Sequence, residues 1–117
     1  MKMIKKLLIL ITSLAYVGCA SIEKSFTKTG DHNAAALSDS CPVSIYTTNP
    51  GKEFIELGVV DIDRVCGFFG CPKENETASG VKQFIAEEVC QAGGNGILLW
   101  QATGYGTYNK ATVIKTK

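Results

Sequence analysis

The spacing of apolar residues changes period along the chain, and the order of those changes outlines a small domain. Val43-Ser44-Ile45-Tyr46-Thr47 alternates β-branched and aromatic residues with polar ones, as a half-buried strand does. Asn49-Pro50-Gly51-Lys52 is turn-forming on composition. Phe54 to Ile62 reads as a second strand with Ile55, Leu57 and Val59 on one face, and Gly58 within it marks a bulge or the close packing of a helix. A short turn between two such strands predicts an antiparallel hairpin. After a loop from Arg64 to Glu76 the period lengthens: Val81, Ile85, Val89 and Ala92 recur at helical spacing with Phe84 beside them. Thr77 to Gln91 is therefore predicted as a helix, N-capped by Thr77 or Ser79. Gly80 disfavours it by about 1 kcal/mol relative to Ala. Glu87 and Glu88 lie at the end where the helix dipole disfavours negative charge. The helix must then rely on packing against a sheet. Gly93-Gly94-Asn95-Gly96 ends it, and Ile97-Leu98-Leu99-Trp100 reads as a central strand covered on both faces. A Gly/Tyr connection, Thr103 to Asn109, leads to a last strand over Ala111 to Thr116. The expectation is an α+β domain, β-β-α-β-β, with one helix packed on a mainly antiparallel four-stranded sheet.

The first forty residues follow another logic. Lys2, Lys5 and Lys6 precede an apolar run from Leu7 to Val17, which ends at Gly18-Cys19-Ala20. The run falls well short of the ~20 residues a bilayer-crossing helix needs, so 1–18 reads as a secretory signal with Cys19 as the new N-terminus. Tyr16-Val17-Gly18-Cys19 resembles the lipobox of bacterial lipoproteins, with Tyr16 where that family usually has Leu. The resemblance implies a diacylglycerol on the Cys19 sulfur and an acyl chain on the new amine. Ala20 and Ser21, with no Asp after the cysteine, imply sorting to the outer membrane, with the domain facing the periplasm. Residues 19–40 are rich in Ser, Thr, Lys, Asp, Asn and Ala and read as the lipidated cysteine and a flexible tether. Such a tether has an r.m.s. span of roughly 25 Å. The folded domain is expected over 41–117.

Composition narrows the function. The chain has 117 residues and a formal net charge of +1, which gives no electrostatic case for nucleic acid. A single His and a single Trp make a rich catalytic constellation improbable, and no cofactor or catalytic residue is assigned. Of five cysteines, Cys19 is set aside, leaving Cys41, Cys66, Cys71 and Cys90. In an exported chain these read first as two disulfides. A metal site, redox chemistry and buried thiols are the other readings. If the first two strands form a hairpin, Cys41 lies beside Cys66, which leaves Cys71 with Cys90.

From Cys41 onward the chain resembles the RcsF family of outer-membrane lipoproteins that sense envelope stress. The matching residues are Val43 to Thr47, Glu56-Leu57-Gly58-Val59-Val60 with Cys66 beyond, Ala92 to Leu99, and the final β-branched strand. The YbjQ-like domain shares the helix, the glycine-rich stop and the strands after it. The resemblance implies a non-enzymatic envelope protein that contacts an outer-membrane barrel or an inner-membrane signalling protein and signals stress to a phosphorelay. That family has cysteines on its third and fourth strands, where this chain has Trp100-Gln101-Ala102, so its disulfide pattern does not carry over.

Four aromatic residues are candidate partner contacts. Phe68 and Phe69 form either an exposed tip or a satellite core under their loop. Tyr105 and Tyr108 either bind a partner or pack across strands. Glu56, Asp61 and Asp63 read as solvated strand residues, His32 as a solvated residue, and Asn75-Glu76-Thr77 as an incidental glycosylation pattern. The alternative function is a periplasmic metal- or ligand-binding module using Cys66, Cys71 and Cys90.

Overall fold

A computed structural model describes residues 19–101 and 106–117. Residues 1–18, expected to be a signal segment, and Tyr105 lie outside the described residues. The elements are β1 (Ser21–Lys28), β2 (Ser44–Tyr46), β3 (Phe54–Val65), α1 (Ala78–Gln91), β4 (Gly96–Gln101) and β5 (Tyr108–Thr116). Of the described residues, 19–22 and Arg64–Pro72 fall in one unit, and Glu23–Asp63 with Lys73–Lys117 in a second, larger one. The domain is α+β with one helix packed on a sheet and two disulfides, but the sheet is five-stranded and mixed, in the order β1-β3-β5-β4-β2.

The larger unit holds the core. Val81, Ile85 and Val89 of α1 are fully buried, as are Val60 of β3, Ile97 of β4 and Ala111 and Val113 of β5. At the N-terminus of α1, Thr77 is the cap: its hydroxyl accepts from the Gly80 amide at 2.9 Å. Gly80 sits in the first turn because a Cβ there would lie 2.5 Å from the Glu74 carbonyl oxygen. The run Gly93 to Gly96 does more than stop the helix. Gly93 takes φ +83°, which only glycine adopts without strain, and its amide donates to the Cys90 carbonyl at 3.0 Å. Asn95 then exchanges bonds with Thr116, accepting from the Thr116 amide at 2.9 Å and donating to its hydroxyl at 3.2 Å. This seats β4 against β5.

The predicted hairpin of the first two strands does not form. β2 pairs in parallel with β4, Ile45 opposite Ile97, while β3 pairs antiparallel with β5, Val59 opposite Thr112. Thus β4 and β5 separate β2 from β3. β2 has only three residues and finds its partner where the Ser44 amide donates to the Asn95 carbonyl at 3.0 Å. A turn-forming composition between two strands does not decide which strands pair.

The predicted disulfides change for the same reason. Cys41 pairs with Cys90 and Cys66 with Cys71, not Cys41 with Cys66 and Cys71 with Cys90. With β2 on the far edge of the sheet, Cys41 stands at the C-terminal end of α1.

The predicted flexible tether is a second correction. Ser21–Lys28 is a strand at the sheet edge beside β3. Its Lys24 ammonium donates to the Phe84 carbonyl at 2.6 Å and pairs with Glu88 at 2.7 Å. The same ammonium lies 4.6 Å from the centre of the Phe84 ring. The Phe26 ring takes the space above Gly58, where a Cβ would come within 2.4 Å of it. Gly58 therefore serves close packing, against a strand rather than a helix, and the β3 register also shifts at Leu57. Further on, the Leu37 amide donates to the Cys90 carbonyl at 2.8 Å, and Ala34 and Ala35 lie against Gly93.

Two stability predictions follow from this packing. The Cys41–Cys90 bridge spans 49 positions and the Cys66–Cys71 bridge spans 5. Loop-closure entropy then assigns about 4 kcal/mol to the first and about 2 kcal/mol to the second. Urea unfolding of C41A/C90A and C66A/C71A should rank them in that order. Gly58→Val should destabilise by about 2 kcal/mol by displacing the Phe26 ring, and Phe26→Ala should relieve part of that cost in the double variant.

Candidate functional site

The run Cys66-Gly67-Phe68-Phe69-Gly70-Cys71 belongs to the smaller unit, and its chemistry dictates its shape. The Cys66–Cys71 disulfide brings the two Cα atoms to 4.2 Å. Inside it, the Gly67 amide donates to the Gly70 carbonyl at 2.7 Å and the Gly70 amide returns a bond to Gly67 at 3.3 Å. This reciprocal antiparallel bridge leaves Phe68 and Phe69 as the two central residues of a tight turn. Gly70 takes φ +129°, a conformation open to glycine and strained for other residues. Below the disulfide, the Arg64 guanidinium donates to the Pro72 carbonyl at 3.3 Å.

The two rings point away from their own loop. Phe68 is 87% and Phe69 97% exposed, and they meet edge to face, 5.3 Å apart at 84°. The satellite-core alternative is thereby overturned. Six residues closed by a disulfide enclose no volume in which two phenyl rings could be buried. Each ring would gain about 2 kcal/mol on leaving water. The tip holds no nucleophile, acid or base between its cysteines, so its chemistry is contact.

A second apolar surface lies on the sheet face opposite the residues that pack under α1. Trp100, expected to be covered, is 57% exposed, and its indole N–H donates to the Thr112 hydroxyl at 3.1 Å. Leu98 beside it is half-buried, and the exposed Phe54 ring joins them around a shallow cleft. The apolar run Ile97 to Trp100 signalled a strand, but continuity of apolar residues does not show whether a second layer covers the outer face.

The other candidate residues fall apart or into structural roles. Tyr108 is half-buried at the start of β5. Its amide donates to the Asn75 carbonyl at 2.8 Å, and its carbonyl accepts from the Asn75 side-chain amide at 3.0 Å. Tyr105 lies outside the described residues. Asn75 is buried with its amide nitrogen engaged and Thr77 is the helix cap, so the glycosylation pattern is not presented as an acceptor. Glu56, Asp61 and Asp63 are exposed, with Asp61 opposite Lys110, and His32 is exposed. Cys66, Cys71 and Cys90 are oxidised, so they offer no thiolate to a metal. Cys19 is exposed and stands outside both disulfides. Among the described residues no helix is long and apolar enough to cross a membrane. No protein family, curated protein or solved structure matches this chain.

Phe68→Ser and Phe69→Ser should each change unfolding free energy by less than about 0.5 kcal/mol, because neither ring is packed. A urea titration that returned a loss of 2 kcal/mol or more, on the order expected for a buried ring, would restore the satellite core.

Proposed function

We propose that this chain is a non-enzymatic lipoprotein of the bacterial envelope, held on the outer membrane by acyl chains on Cys19 and making contacts with other envelope proteins. The observation that carries this reading is the junction between anchor and fold. β1 begins at Ser21, directly after Cys19-Ala20, and β1 is an integral strand of the sheet. A lipid on Cys19 would then hold the domain against the bilayer with almost no slack, and several acyl chains at roughly 0.8 kcal/mol per CH2 make that attachment effectively permanent.

A protein fixed in this way acts through what it presents. The exposed Trp100, with Leu98 and Phe54, is the surface we assign to a protein partner, since Trp is the residue type most enriched at the energetic centre of interfaces. The resemblance to stress-sensing lipoproteins supplies the direction of the reading: contact with a barrel or signalling protein made or lost as the envelope changes, and passed on to a phosphorelay.

Intact mass spectrometry of the protein extracted from membranes tests the anchor. It should show cleavage before Cys19, the added mass of the lipid, and the loss of four hydrogens for two disulfides. A soluble, unlipidated protein would end the reading. A photo-crosslinker placed at position 98 in cells should capture an envelope protein, and Trp100→Glu should reduce that capture at least tenfold. Capture that Trp100→Glu leaves unchanged would remove this surface from the account.

A further inference from the structure

We propose that the Phe68–Phe69 tip is a lipid wedge, a second point at which the domain enters the membrane surface. The proposal rests on Cys19 being the lipidated residue. Gly30, Thr29 and Thr27 lie in turn against Glu56, Leu57 and Gly58, so β1 runs antiparallel to β3 and its first residue, Ser21, lies toward Val65, where the tip begins. A bilayer receiving a lipid on Cys19, two residues before Ser21, would then lie on the side of the sheet end from which the tip extends.

The tip is built for that surface in three respects. First, it is apolar throughout: from Cys66 to Pro72 there is no charged side chain to desolvate. Second, the backbone has its polar groups engaged where the turn narrows, because the amides and carbonyls of Gly67 and Gly70 bond to each other. An unpaired peptide group entering hydrocarbon costs several kcal/mol, and here that pair is already made. Third, the tip is a projection. Its rings are 87% and 97% exposed and stand on a two-residue turn locked by a disulfide, so insertion orders little that is not already ordered. A shallow entry of about 5–10 Å, the depth of interfacial apolar groups, accommodates two phenyl rings. Two attachments, one covalent lipid and one aromatic wedge, would hold the tip at the bilayer surface more firmly than either alone.

The test uses the full chain extracted from membranes and reconstituted into phosphatidylethanolamine and phosphatidylglycerol vesicles. Phe68→Trp is combined with Trp100→Phe, so that fluorescence reports position 68 alone. Emission should shift to the blue, and lipids brominated near the headgroup end of their chains should quench it at least twofold. Emission like that of an indole in water, unquenched, on protein whose mass still shows the lipid on Cys19, overturns the wedge and leaves the anchor standing. Blue-shifted emission without quenching places the ring in a protein pocket and also overturns it. Quenching on protein whose mass shows no lipid supports the wedge and removes the anchor instead.

Discussion

The fold depends on what is fastened to the C-terminal end of the single helix. Cys90 is fully buried there, its sulfur bonded to Cys41 and its carbonyl accepting amides from both Leu37 and Gly93. One residue thereby joins the segment that follows β1 to the helix and to the strand that leaves it. The helix needs this. It carries no basic residue in its last turn, and Glu87 and Glu88 oppose its dipole. The Leu37 and Gly93 amides both satisfy the Cys90 carbonyl, and the Gly94 amide satisfies that of Val89. The Lys24 ammonium completes the arrangement by neutralising Glu88 and capping the Phe84 carbonyl and ring.

That fastening changes what residues 21–40 are for. A polar segment with few large apolar residues has little surface of its own to offset ordering entropy. Here the offset comes from elsewhere: Phe26 lies across Gly58, Lys24 reaches the helix, and the residues beyond Gly30 dock beside Gly93. The anchor reading then acquires a different mechanical sense. A long flexible tether would let the domain search the space above the membrane. A strand that starts two residues after Cys19 would, with a lipid on that residue, leave little slack between them.

Much of the fold is legible in the sequence because its signals are local. The helix limits follow from Thr77 and the glycine run. The core face of the helix follows from the spacing of Val81, Ile85 and Val89. β4 and β5 follow from apolar and β-branched runs. What was illegible is non-local. Ser21 to Lys28 places Ile22, Lys24 and Phe26 on one face, but a lysine in the middle position hides the period, and its value appears only beside Phe84 and Glu88. The pairing of β2 with β4 rests on the Asn95 carbonyl and on Gly96, which leaves room for the Tyr46 ring, and no turn composition encodes that. The disulfides failed with the hairpin from which they were inferred. Phe68 and Phe69 stand out in the sequence as candidate contacts, and their outward orientation follows from the size of the ring closed by Cys66 and Cys71 once these are known to pair.

The central claim is that residues 21–28 belong to the folded domain. Amide hydrogen exchange on the protein in vesicles measures this directly. If β1 is an edge strand bonded to β3, the amides of 21–28 that face β3 exchange at least tenfold more slowly than in an unfolded chain, and the Leu37 amide is protected along with the helix. Exchange at the unfolded rate through the whole of 21–40 would contradict the account and return that segment to a tether.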